Sequence, residues 1–286
     1  MTHGFVLLMQ HPFTWEGAIT LNQKKTAIPQ IDSKLRHNIL RVPREIYEAT
    51  GIVVNGRRIK SLIFTTDLAI IKNCDADAVF AVYPFTPQQS ISDAIIRSAS
   101  VPVFCGVGGG TTQGFRTISL AKDVECQGAT GLVLNAPVSN LNLFAVSSAV
   151  DIPVVITVTS SETDIQARLD AGASILNIAG GRDTVDMIRD IRRDFPDAPI
   201  MATGGGTVES VRATVKAGAN AIIYTPPSAK SLFSEMMRQY RENPQMTTEF
   251  LTKEQAQKLY ELRRSDVKSA LEKYLGEYGS SAENNS

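Results

Sequence analysis

Ala198-Pro-Ile-Met-Ala-Thr-Gly-Gly-Gly-Thr-Val-Glu-Ser-Val-Arg-Ala-Thr-Val-Lys-Ala-Gly-Ala-Asn-Ala-Ile-Ile-Tyr-Thr-Pro-Pro-Ser228 decides the fold. It reads as strand, glycine turn, amphipathic helix, strand, and the start of another helix. Gly204, Gly205 and Gly206 leave three successive amides clear of side chains just before a helix begins. Amides at a helix N-terminus, backed by the helix dipole, attract anions. Thr225-Pro226-Pro227-Ser228 opens the next helix, and proline suits a helix's first turn.

Two entry signatures precede apolar runs elsewhere in the chain. Small residues lead into Ala76-Asp-Ala-Val-Phe-Ala-Val-Tyr83, Gly128-Ala-Thr-Gly-Leu-Val-Leu-Asn135, Gly172-Ala-Ser-Ile-Leu-Asn177 and Gly218-Ala-Asn-Ala-Ile-Ile-Tyr224. An X-Pro pair leads into Val101-Pro-Val-Phe-Cys-Gly106, Ile152-Pro-Val-Val-Ile-Thr157 and Ala198-Pro-Ile-Met-Ala-Thr203. The two series interleave, each with a period that holds two strand–helix units. With Ser61-Leu-Ile-Phe-Thr-Thr66 they make eight strands, apolar throughout, as strands covered on both faces must be. Helical stretches separate them, for example 163–171 and 185–194. Eight alternating units predict an α/β fold, a closed (β/α)8 barrel over residues 61–241.

Residues 1–60 are expected to form an N-terminal extension that covers the N-terminal mouth or edge of the barrel. Within it, Asn55-Gly56 predicts a type I′ hairpin between 51–54 and 57–60, and a short helical pattern covers 44–49. Residues 242–286 are expected to add a helix, introduced by the capping box Thr252-Lys-Glu-Gln255, and a polar tail. Leu259, Leu262, Leu271 and Leu275 share one side of that helix, which predicts contact with a second copy in a homo-oligomer.

The 286 residues are 43% apolar, and 29 Lys and Arg balance 29 Asp and Glu. No basic run marks the surface, so nucleic acid is not an expected partner. Cys74, Cys105 and Cys126 are too few for a disulfide framework, which suits a reducing compartment. Phe5-Val-Leu-Leu-Met9 is too short to span a bilayer, so no membrane association and a cytoplasmic location are expected.

Barrel chemistry lies at the C-terminal ends of the strands. No strand there carries a Lys, which argues against a Schiff-base aldolase. No His/Asp/Glu cluster forms at those ends either, so no metal and no other cofactor are expected. Asp67 follows the first barrel strand and reads either as a general acid–base or as a helix start. Asn135 and Asn177 end the fourth and sixth strands, where amides can polarise a carbonyl or hold a hydroxyl. Asp67, Asn135 and Asn177 are therefore the candidate catalytic residues. Arg182, after Gly180-Gly181, is suited to gripping a phosphate or carboxylate; Asp183 reads as an ordinary helix start or an acid. The glycine loop Gly106-Val-Gly-Gly-Gly-Thr-Thr-Gln-Gly114 brings backbone close to a ligand through Gly109 and Gly110, with Thr112 and Gln113 as donors. Cys105 reads as core packing, as does the His11, Trp15 and Glu16 cluster.

The Thr203-Gly-Gly-Gly206 and Thr225-Pro-Pro-Ser228 pair resembles the phosphate-binding half of barrels such as thiamin-phosphate synthase, indole-glycerol-phosphate synthase and sugar-phosphate epimerases. Over most of its length the chain resembles a bacterial family of barrel proteins carrying the generic label "hydrolase". The first resemblance implies a phosphate gripped by Gly204, Gly205, Gly206, Thr207, Thr225 and Ser228. A small phosphorylated metabolite is then the expected partner, and Asp67 with Asn135 and Asn177 suits proton abstraction beside a carbonyl, as in isomerisation, epimerisation or C–C cleavage. Three alternatives remain: an FMN-dependent oxidoreductase, because flavin barrels use the same loops; a hydrolase; and a barrel that binds without turnover.

Overall fold

The computed structural model describes residues 39–242 and 260–269, with Pro29, Ile31 and Glu272. Phe5 to Met9, the His11, Trp15 and Glu16 cluster, the Thr252 capping box and Leu259, Leu271 and Leu275 lie outside the described residues. The chain divides into two units, Met1–Asn38 and Ile39–Ser286.

The second unit begins with a 3₁₀ turn (Arg44–Glu48) and a hairpin of β1 (Ile52–Val54) and β2 (Arg57–Ile59). Asn55 and Gly56 both take positive φ, 49° and 78°, as a type I′ turn requires. The eight barrel strands follow: β3 (Ser61–Phe64), β4 (Ala78–Ala81), β5 (Val103–Gly108), β6 (Gly131–Leu134), β7 (Val154–Val158), β8 (Ile175–Ile178), β9 (Ile200–Thr203) and β10 (Ala221–Tyr224). All pair in parallel, and β10 closes the ring on β3 with Tyr224 opposite Ile63. The helices between them are α1 (Leu68–Lys72), α2 (Gln89–Ser98), α3 (Phe115–Cys126), α4 (Asn140–Ser147), α5 (Ile165–Asp170), α6 (Thr184–Asp194) and α7 (Val208–Lys216), with α8 (Ala229–Glu242) last. The (β/α)8 barrel expected from the strand pattern is the fold.

Side chains alternate between two cores, as strand geometry dictates. Leu62, Phe80, Phe104, Val133, Ile175 and Met201 fill the interior, where Ile52, Val54 and Ile59 of the hairpin join them. Ile63, Cys105, Leu132, Ile156, Leu176 and Ile222 face outward into the helix layer. Burial pushes the Cys105 thiol up to about 12, the mark of an inert core cysteine.

Local chemistry explains both entry signatures. The Gly-Ala pairs are helix stops: Gly128 takes φ 95° and its amide donates to Glu125 O, while that of Ala129 reaches back to Val124 O. This is a Schellman cap, repeated at Gly218 and Ala219. The prolines stand just ahead of their strands, where the carbonyls of Pro102, Pro153 and Pro199 accept from the Val79, Leu132 and Leu176 amides of the neighbouring strands.

Candidate functional site

Two clefts open at the C-terminal end of the barrel. The larger, about 600 Å³, lies between the loop after β8 and the loop after β9; Arg182, Thr203, Gly204, Gly205, Gly206 and Thr207 are among the residues lining it. The smaller, about 250 Å³, lies by the ends of β4, β5 and β6 and is lined by Tyr83, Phe85, Gly109, Gly110 and Asn135 among others.

Not all of the glycine-loop amides are free. The Gly204 amide donates to Ile223 O at 3.2 Å, and that of Thr207 donates to Ser210 Oγ at 3.2 Å. Thr207 Oγ1 in turn accepts from the Ser210 amide, which completes a capping box at the start of α7. Gly205 and Gly206 are left with amides that have no partner among the described residues. Arg182 is exposed and likewise makes no ion pair or hydrogen bond among them. A guanidinium and two amides that have no partner among the described residues, beside a helix N-terminus, are groups of the kind that attract anions.

Thr225 and Ser228 do not join that cleft. Both are exposed, and Ser228 Oγ serves its own helix by accepting from the Ser231 amide at 3.1 Å. The glycine loop is therefore partnered by the loop after β8, not by the one after β10. Asp183 is exposed and makes no capping bond at α6.

Asn135 is half-buried, and Gly109 packs against it so closely that an added Cβ would stand 2.6 Å from Asn135 Cβ. Gly110 faces open space. The structure brings Asn135, Gly109 and Gly110 together, but in the smaller cleft, apart from Gly204 to Gly206. Thr112 and Gln113 serve the loop itself: Thr112 O accepts from the Gly109 amide and the Thr117 hydroxyl, and Gln113 Nε2 donates to Gly110 O. Arg168, which the sequence did not single out, steadies the segment after Asn135 by donating to Ala136 O, Val138 O and Asn140 Oδ1. It sits on helix α5, where nothing in sequence distinguishes it from a surface arginine.

Asp67 lines neither cleft. It is the N-cap of α1, its Oδ1 accepting from the Ala69 and Ile70 amides at 2.8 and 3.3 Å. Asn177 is only 4% exposed and lies against Thr157, its register partner on β7. No helix among the described residues is long and apolar enough to cross a membrane.

No family model matches the chain, and no curated protein matches it in sequence. Solved structures do match its fold. A phosphonopyruvate hydrolase shares 14% identity at a TM-score of 0.52, over 80% of this chain and 98% of that one. A second structure of a phosphonopyruvate hydrolase, in complex with oxalate and Mg²⁺, shares 13% at 0.52, over 75% and 93%. Phosphoenolpyruvate phosphomutase from Streptomyces platensis subsp. rosaceus shares 12% at 0.52, over 81% and 97%. These likenesses define the protein as a (β/α)8 barrel. They support the barrel resemblance but not its named examples, thiamin-phosphate synthase and the epimerases.

They also correct one expectation. A barrel of this fold has been solved with Mg²⁺, so chemistry without a metal ion does not follow from the pattern of residues at the strand ends. Mg²⁺ takes oxygen ligands, usually one or two carboxylates with water and substrate phosphate. Among the described residues no three His, Cys, Asp or Glu side chains gather into such a group. Asp67 has one oxygen engaged in its cap, and neither Asp67 nor Asp183 lines the larger cleft. Neither cleft is lined by a carboxylate.

Proposed function

We propose that the protein is an enzyme acting on a small phosphorylated metabolite, with the phosphate held in the larger cleft. The observation that carries this reading is the Arg182 guanidinium in one cleft with the amides of Gly205 and Gly206, all without a partner among the described residues. The names phosphonopyruvate hydrolase and phosphoenolpyruvate phosphomutase denote small phosphorus-bearing acids as substrates, which fits a cleft of this size. The reaction is of lyase or isomerase type: the phosphate anchors the ligand in the larger cleft, and any proton is moved beyond its walls, where Asp67 is the candidate acid–base.

Calorimetric titration with inorganic phosphate and simple phosphate monoesters tests the anchor. Binding should weaken about ten-fold or more in Arg182→Ala, the loss expected for a charge-assisted contact. Unchanged affinity in that variant overturns the assignment. A second reading, binding without turnover, is favoured by one observation: no acid or base lines the cleft. Product formation from any phosphorylated ligand that binds decides between the two.

A further inference from the structure

The smaller cleft has a chemistry of its own. No Asp, Glu, Lys, Arg or His lines it. Val82, Pro84, Phe85 and Pro87 supply apolar surface, and the Phe85 side chain stands largely in water there, 74% exposed. Tyr83 and Asn135 are among the few polar side chains. Its volume, about 250 Å³, lies below the roughly 300–1,000 Å³ of pockets for drug-sized ligands and suits a ligand of one or two rings.

The backbone around this cleft is tied in place. The Asn135 amide donates to Gly108 O at 3.0 Å, and the Asn135 carbonyl accepts from the Val138 amide at 3.1 Å. Arg168 holds the residues that follow, through Ala136 O and Val138 O. The glycine loop is fixed by the Gly109 amide and the Thr117 hydroxyl, both donating to Thr112 O. Both main-chain groups of Asn135 therefore serve its position, and its carboxamide is what it presents to the cleft. A polar group held by a rigid surround is the pattern of a preorganised binding point. Tyr83 Oη accepts from the Gln88 amide at 2.8 Å, so its remaining contribution to a ligand is its proton.

These groups select among ligand classes. An ion would enter the cleft without a counter-charge, which leaves its lost hydration without compensation. An alkyl chain would cover Asn135 and Tyr83 and leave their polar atoms unmatched. A sugar carries hydroxyls all round its ring, more than this lining can satisfy. A planar heterocycle keeps its polar atoms on the edge and its faces apolar, as the lining requires. A carboxamide matches an edge that sets a donor beside an acceptor, as asparagine does on adenine, and aromatic side chains stack on such rings. The Tyr83 proton adds a demand for a carbonyl. We propose that the smaller cleft binds an uncharged planar heterocycle with adjacent N–H and C=O groups on its edge. The ring stacks on Phe85 and pairs with the Asn135 carboxamide. This site is separate from the phosphate cleft and does not rest on that reading.

The test uses calorimetry on the full chain with three probes. Uracil has the flat ring and the edge, 1,3-dimethyluracil lacks the N–H donors, and dihydrouracil lacks the flat ring. Uracil should bind, and each analogue should bind about ten-fold more weakly, the loss expected of one pairing or one stacking contact. Phe85→Leu should weaken uracil by a similar factor and remove its advantage over dihydrouracil. Asn135→Ala should remove its advantage over 1,3-dimethyluracil. Should Asn135→Ala lower the melting temperature, Phe85→Leu decides alone, because an exposed ring is not needed for folding. Arg182→Ala should leave uracil affinity unchanged. The proposal is overturned if uracil does not bind, if the three probes bind alike, or if Phe85→Leu binds uracil as the parent does. It is overturned too if Arg182→Ala loses uracil, since the ring would then lie in the phosphate cleft.

Discussion

Thr207 and Ser210 cap each other: each side-chain oxygen accepts the other's amide at 3.2 Å. This reciprocity takes the Thr207 amide out of any anion site and concentrates the free donors on Gly205 and Gly206. It also explains Gly205, which takes φ 74° and where an added Cβ would stand 2.5 Å from Ser210 Oγ.

The two glycines should therefore respond differently to substitution. Gly205→Ala forces a side chain into left-handed backbone and against Ser210, and should cost about 1–2 kcal/mol of stability with or without ligand. Gly206 has nothing within 4 Å of an added Cβ. Gly206→Val should leave the urea midpoint nearly unchanged while weakening phosphate binding about ten-fold. The reverse pattern would mean that the glycines serve only the turn.

Asp67 allows its two roles to be separated. Asn is as good an N-cap as Asp, whereas Ala loses about 1 kcal/mol. Asp67→Asn should preserve stability and, if the carboxylate moves a proton, lower turnover by about 10²–10⁴. Full turnover in Asp67→Asn beside a destabilised Asp67→Ala would leave Asp67 as a helix cap alone.

Arg192 is expected to matter for stability and not for binding. From α6 it donates to Pro196 O, Ala198 O, Gly218 O and Asn220 Oδ1, tying together the chain that enters β9 and β10. Arg192→Met should cost about 2–3 kcal/mol in denaturant unfolding, since hydrogen bonds to a charged donor are among the stronger ones. Phosphate affinity should not move. Lys should not rescue the variant, because one ammonium cannot reproduce the guanidinium fork.

The three cysteines should react with Ellman's reagent in a fixed order. Cys126 is exposed and should react first at pH 8. Cys74 is half-buried with its thiol pushed up by burial, and should be slow. Cys105, pushed up to about 12, should react only when the barrel unfolds, because its thiolate fraction at pH 8 is about one in ten thousand. Rapid labelling of Cys105 in the native state would contradict its place in the outer core.

The sequence by itself determined the barrel, because its evidence is local and repeated. Strands buried on both faces must be apolar at every position, and glycine stops and proline entries act within a few residues of themselves. The hairpin was legible for the same reason, since Asn55-Gly56 demands a particular turn. The candidate site was legible only in part. Glycine-rich loops announce where backbone is bare, but not which loops stand side by side or which amides are already taken. Only the tertiary structure set Arg182 with Gly205 and Gly206, turned Ser228 to its own helix, and moved Asn135 into a separate cleft with Gly109. It also directed the Asn177 amide, because the register of β7 against β8 places Thr157 beside it. Those outcomes depend on how a closed ring of strands aims its loops and on contacts between residues far apart in the chain. No local pattern encodes either.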